Sequence, residues 1–147
     1  MKITINKYQD LTTNKLYEIL VLRSEVFVVE QNCAYQDLDN KDQKALHLIV
    51  EENNKIIAYT RIFKKGDFFK NSSIGRVLVK KEHRGKDLGK KIMIKSIEQI
   101  KKDKTEKKIE LSAQKYLLKF YLELGFKKIG EEYLEDGIPH VKMTLKI

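Results

Sequence analysis

The heptapeptide RGKDLGK, Arg84 to Lys90, joins an apolar segment, Ile74 to Val79, to a lysine-rich amphipathic one. A strand running through a glycine-containing loop into a helix leaves backbone N–H groups unpaired at the positive end of the helix dipole, where phosphate is favoured. Two common nucleotide loops do not fit. Gly85 to Gly89 is one residue short of G-x-x-x-x-G-K-[ST], and Lys91 stands where that motif needs a magnesium-binding hydroxyl. The dinucleotide pattern G-x-G-x-x-G is absent as well.

Outward from this joint the chain alternates strand and helix patterns. After it, Leu88, Ile92, Met93, Ser96 and Ile100 mark one helix face, with Lys90, Lys91, Lys95, Glu98, Lys101 and Lys102 on the other. Before it, Leu46 to Glu51 and Ile56 to Phe63 form a hairpin around Asn53-Asn54, residues that tolerate the left-handed turn. Thr12 or Thr13 caps a first helix, with Leu16, Ile19, Leu20 and Phe27 at helical spacing and an end near Val28. The polar stretch Glu30 to Lys44 reads as a solvated or substrate-facing loop bearing Asp37, Asp39 and Asp42. Lys108 to Ala113 reads as a strand, and Leu117 to Leu124 as a helix stopped at Gly125. Phe126 to Gly130 and Val141 to Ile147 are the last strands. The order β-α-β-β-β-α-β-α-β-β predicts a mixed sheet with helices packed on its faces.

Length and charge narrow the class. The 147 residues predict a single domain over 1–147 with ordinary globular composition, 41% hydrophobic and 35% charged. The net charge of +9 suits an anionic partner: nucleic acid, membrane surface or a phosphorylated small molecule. No apolar run approaches a membrane span and the start lacks a leader-like apolar core, so a cytoplasmic protein is expected. Aromatics are not interleaved with the basic clusters, which disfavours a nucleic-acid platform. Cys33 is the only cysteine and reads as a small, partly buried side chain rather than a catalytic thiol.

Taken together, Ile74 to Val79 followed by Arg84-Gly85-Lys86-Asp87-Leu88-Gly89 resembles motif A of the GNAT acyltransferases, R/Q-x-x-G-x-G/A after a strand. Phe120-Tyr121-Leu122-Glu123-Leu124-Gly125-Phe126 resembles their second coenzyme motif, in the expected order. Arg23 to Cys33, Leu111-Ser112-Ala113-Gln114 and Glu131 to His140 look like the ElaA-like branch of that superfamily, so the resemblance covers nearly the whole chain. One departure is Asp87, at a position usually glycine in motif A. It places a carboxylate near the expected pyrophosphate, unless it serves as a helix N-cap whose side chain satisfies the next turn and points away from the ligand.

The resemblance implies an α+β GNAT-type fold: a mixed, mostly antiparallel central sheet with a splayed parallel strand pair and helices on both faces. It implies acetyl-CoA as co-substrate, no metal, and an amine acceptor that attacks the thioester directly. The pantetheine arm would lie along Val77, Leu78 and Val79. The diphosphate would rest on amides from Arg84 through Gly85, Lys86, Asp87, Leu88 and Gly89 to Lys90, with Arg84, Lys86 and Lys90 adding charge and Gln114 nearby. Tyr121 is the implied acid for the leaving thiolate, against the plain reading of a packed aromatic. The motif A strand carries Arg76 where many relatives carry a basic carboxylate, so Glu30, His47 and His140 are the remaining candidates for the base. A CoA-binding sensor without turnover, or less favourably a nucleic-acid module, is the rival reading. The alternating final strand, Val141 to Ile147, offers an edge that could pair across a homodimer.

Overall fold

Alternating apolar positions and asparagine- or glycine-bearing turns build seven strands into one sheet, ordered β1-β2-β3-β4-β5-β7-β6, in the computed structural model, which describes Met1 to Ile147. Along the chain these are β1 (Lys2–Lys7), α1 (Thr13–Arg23), β2 (Leu46–Glu52), β3 (Lys55–Phe63), β4 (Ser72–Val79), α2 (Leu88–Lys101), β5 (Lys108–Gln114), α3 (Leu118–Glu123), β6 (Lys127–Glu135) and β7 (Ile138–Lys146). The predicted order of elements is the observed one. Only β4 and β5 run parallel; every other neighbouring pair is antiparallel. No helix is long and apolar enough to cross a membrane.

Local chemistry sets the ends of these elements. Thr12 caps α1, its hydroxyl oxygen accepting the Lys15 N–H at 3.1 Å. The β2–β3 turn holds Asn53 and Asn54 at φ 52 and 62, the left-handed values a tight hairpin demands. At the far end Asp136 and Gly137, with φ 52 and 76, make the same kind of turn. That turn extends β6 and β7 past the limits expected from sequence. Helix α3 stops at Gly125, whose φ of 97 lets the Phe126 N–H reach the Tyr121 carbonyl and its own N–H the Leu122 carbonyl.

Because successive strand residues face opposite ways, the sheet carries a core on each side. On one face Leu48, Val50, Ile62, Ile109, Leu111 and Met143 pack under α2 and α3; on the other Ile49, Tyr59 and Leu78 pack under Ile19, Leu22 and Val26. Each such side chain contributes about 1.5 to 3 kcal/mol by leaving water. A buried hydrogen bond of 2.7 Å between Thr60 and Ser96 fixes α2 on β3.

Two expectations need correction. Regular α-helix ends at Arg23 rather than near Val28, and Ser24–Glu30 continues as a wider π-helical segment. The wider turn keeps Val26 buried with Leu22 while bringing Glu30 and Gln31 to the open side. The final strand is no sheet edge: β6 folds back beside β7, which is then bonded on both sides, and the free edges are β1 and β6.

A bulge in β4 is the pivot of the sheet. Tyr59 pairs with Leu78 but Arg61 pairs with Gly75, so Arg76 and Val77 together face Thr60. Arg76 takes φ 49, which costs a side-chain-bearing residue about 1 to 2 kcal/mol. Its guanidinium bonds the Asp37 carbonyl at 2.9 Å and lies 2.6 Å from the Asp37 carboxylate, which offsets that strain. Asp37, Asp39 and Asp42 are therefore neither solvated nor free for a cationic substrate. Arg23 bonds Asp37 and Asp42 at 2.8 and 2.7 Å, and Arg61 bonds Asp39 and Asp42 at 2.8 and 2.9 Å. Three guanidinium groups thus neutralise three carboxylates and pin the loop before β2 to the sheet.

Asp42→Ala leaves Arg23 and Arg61 without a shared carboxylate, and a loss of roughly 3 to 5 kcal/mol in denaturant unfolding is expected. Burial pushes the Asp39 carboxyl upward, but the hydrogen bonds and charge of Arg61, with Arg76, reverse this and bring it down to about 2. An unfolded aspartate titrates at about 3.9. The stability Asp39 contributes is complete above that value and is lost as pH falls toward 2, so the difference in melting temperature between the native chain and Asp39→Asn should be constant from neutrality to about pH 5 and shrink steeply below pH 4.

Candidate functional site

Parallel pairing of β4 with β5 is confined to Ser72↔Ile109 and Ser73↔Glu110. Past Ser73 the strands diverge, and the side of β4 from Gly75 to Val79 that faces β5 has no strand to bond. The wedge opens into a cavity of about 1010 Å³. Val77, Leu78 and Val79 form its wall, the loop before α2 its rim, and Tyr121 lines it from α3.

The rim consists of free donors. Lys91 N–H to the Asp87 carbonyl, 3.1 Å, is the first bond closing α2, and no internal hydrogen bond engages the amides of Gly85, Lys86, Asp87, Leu88, Gly89 or Lys90. Gly85 at φ 80 and Asp87 at φ 60 both turn the chain in the left-handed sense. Of the two roles open to Asp87, the side-chain cap of α2 is not taken: it makes no capping hydrogen bond. Its backbone instead occupies the conformation for which glycine is suited, with the carboxylate left at the cavity rim. Gly89 sits where a Cβ would lie 3.6 Å from the Phe120 ring, so α2 approaches α3 closely there.

Most residues singled out by sequence converge on this cavity. Arg84, Gly85, Asp87, Leu88, Gly89, Lys90, Gln114, Glu30 and His140 line it, with the β4 wall and Tyr121; Lys86 and His47 do not. Arg84 is already engaged, donating to the Val79 carbonyl at 2.9 Å and pairing closely with Glu30. The Arg84 hydrogen bond, and then its charge, holds the Glu30 carboxyl below its ordinary range, which makes Glu30 a weak proton acceptor. Gln114 exchanges amide hydrogen bonds of 3.3 and 3.2 Å with Gln31. Cys33 is half-buried, 3.4 Å from the Asp136 carbonyl.

The two histidines differ. His47 is fully buried; its Nε2–H donates to the Asp42 carbonyl at 2.9 Å and its Nδ1 accepts from Tyr59 at 2.6 Å. It serves the aspartate loop and does not reach this cavity. Burial lowers its proton affinity further, so it stays neutral. His140 faces the cavity; its Nδ1–H donates to the Ile138 carbonyl at 2.7 Å, and its Nε2 lies 3.3 Å from Glu135 Oε2.

Tyr121 is 6% exposed and edge-packed on Phe120 and Phe126 at centroid distances of 5.0 and 6.0 Å. Its hydroxyl has no hydrogen-bond partner within the protein. Burial raises its pKa, with a smaller push from Tyr116, so the phenol remains a neutral donor at physiological pH.

Several cavity residues carry no role in the sequence reading: Ser73, Ser112 and Glu135, with Phe63 and Phe68 stacked at 5.0 Å. One signal for them was available. In β5, Glu110, Ser112 and Gln114 alternate with Ile109, Leu111 and Ala113, which marks a polar face pointing away from α2 and α3.

A family model described as the acetyltransferase (GNAT) domain matches residues 8–147. The protein ElaA of Escherichia coli K12 is 39% identical over 142 residues, spanning 95% of this chain and 93% of its own. Among solved structures, an acyl-CoA N-acyltransferase from Pseudomonas aeruginosa superposes with a TM-score of 0.91 at 36% identity, covering 98% of this chain and 99% of its own. The crystal structure of Escherichia coli ElaA gives 0.90 at 38% identity, with 97% of each chain covered.

Proposed function

Since the chain belongs to the GNAT acetyltransferase family, we propose that it transfers an acetyl group from acetyl-CoA to the nitrogen of an amine acceptor by direct attack. The supporting observation is the β4–β5 wedge bordered by the unbonded amides from Gly85 to Lys90. An extended pantetheine arm can bond the free side of β4 as an added strand. A diphosphate matches the amide rim at the start of α2, with Lys90 adding positive charge.

An acceptor such as an alkylamine arrives protonated, with a pKa of roughly 10.4 in water. In this reading His140 Nε2 takes one proton, and the freed nitrogen forms the C–N bond at the thioester carbon. An amide of Val77 to Val79 receives the developing oxyanion. As the C–S bond breaks, Tyr121 donates its hydroxyl proton to the sulfur and regains one from the substituted nitrogen. Amide and free thiol result, with one proton released to solvent. His140 is preferred to Glu30 as the base because Arg84 holds Glu30 in its ionised form.

Asp87 favours a second reading, a CoA-binding sensor with little turnover, because its carboxylate borders the rim intended for phosphate. Thiol release with an amine panel separates the two.

Tyr121→Phe should lower kcat by about 10² to 10⁴ while the acetyl-CoA Kd from calorimetry stays within about twofold; unchanged turnover removes Tyr121 from the mechanism. Asp87→Gly should bind acetyl-CoA equally or more tightly, since it removes a like charge and supplies the residue suited to φ 60. A clear loss of affinity in the same titration would show instead that Asp87 holds the loop.

A further inference from the structure

The acceptor side of the cavity carries a group of side chains that the acyl-transfer reading does not yet use. Glu135 ends β6, and its Oε2 lies 3.3 Å from His140 Nε2. Since His140 Nδ1 carries the hydrogen donated to the Ile138 carbonyl, both atoms facing each other across that gap are acceptors. The gap is therefore built for one proton, brought by an imidazolium or by a ligand N–H. The other Glu135 oxygen accepts the Ser112 hydroxyl at 3.1 Å, and Ser112 in turn accepts from Tyr133 at 2.5 Å. The Tyr133 ring stacks on His140 at 6.2 Å and 23°. Both groups are thus held in place, while half of the Glu135 side chain stays open to an incoming molecule.

Charge singles out the same place. Among the carboxylates of the cavity, Asp39 is bound by Arg61 and Arg76, and Glu30 by Arg84. Asp87, Glu123, Asp136 and Glu135 have no arginine or lysine partner, and of these Glu135 alone faces a histidine.

An independent observation lies deeper in the wedge. Ser73 is 2% exposed, lines the cavity, and its hydroxyl has no hydrogen-bond partner in the protein. A buried, unpaired hydroxyl is unfavourable, and a ligand group that bonds it would relieve that cost. Ser73 is level with Glu110 in the parallel register, two residues from Ser112 on the same strand face. Strand geometry puts about 8 Å between the Cα atoms of Ser73 and Ser112.

Resting on the acyltransferase reading, we propose that Glu135 is the docking group for the acceptor's ammonium, that it directs one N–H to His140 Nε2, and that Ser73 holds a second hydrogen-bonding group of the same molecule. The substrate class is then a small bifunctional amine: cationic at one end, with a hydroxyl, carbonyl or second nitrogen several bonds away. On binding, one ammonium proton passes to His140 Nε2 and is held in the gap by Glu135. The neutral nitrogen keeps its lone pair for the thioester carbon.

The test is steady-state thiol release from acetyl-CoA with a panel of monoamines, amino alcohols and diamines, alongside calorimetric titration of acetyl-CoA alone. Glu135→Gln should raise the KM for amines about tenfold or more, the loss of one charge-assisted contact. Acetyl-CoA affinity should be unmoved, and Glu135→Asp should recover much of the effect. Ser73→Ala should raise KM for the bifunctional amines and leave the monoamines unchanged. Unaltered amine KM in a Glu135→Gln enzyme that still turns over would overturn this assignment and leave the acyltransferase standing. Acetyl-CoA binding with no transfer to any amine would overturn it in favour of the sensor. A chain that binds no acetyl-CoA would remove both readings.

Discussion

The bulge at Arg76 is the constraint on which the rest depends. A regular β4 would continue to pair with β5 along its length and close the wedge. Two residues facing Thr60 re-aim the strand, and the left-handed backbone at Arg76 is sustained because its guanidinium finds the Asp37 carboxylate and carbonyl. The aspartate loop, Arg23 of α1 and Arg61 of β3 form one neutralised group with it. Each member is buried or half-buried, so each would be costly alone. Fold and cavity therefore share a single electrostatic support.

That support explains a division of labour around the cavity. Permanent charges on the β3–β4 side are matched internally and are unavailable to a ligand. On the α2 side the donors are main-chain amides, fixed by the left-handed turns at Gly85 and Asp87, which need no side-chain rearrangement to meet an anion. On the β5–β7–β6 side the groups are hydroxyls, a carboxylate and an imidazole, able to move protons. In the proposed reaction a phosphate-rich carrier and a cationic acceptor would meet different walls, with Tyr121 between neutral aromatic neighbours.

Much of this was legible before any coordinates. The strand-loop-helix joint at Arg84 to Lys90, the Asn53-Asn54 hairpin and the glycine stop at Gly125 follow from local rules, because turns and helix ends are set by a few adjacent residues. The Asp37, Asp39 and Asp42 loop was misread for the opposite reason: its arginine partners lie 14 to 39 positions away along the chain, a range at which no local pattern speaks. His47 and His140 look alike in sequence, yet one is bonded on both nitrogens inside the core and the other turns its Nε2 to Glu135 in the cavity.

By itself the sequence determined the order of elements, the mixed sheet and the amide-lined loop, since periodicity and turn chemistry act over neighbouring residues. Tertiary structure alone decided that β6 folds outside β7, that β4 parts from β5 after Ser73, and that Ser73, Ser112, Glu135 and His140 line one cavity. Strand register and burial bring those residues together, and both are properties of the closed sheet rather than of any segment within it.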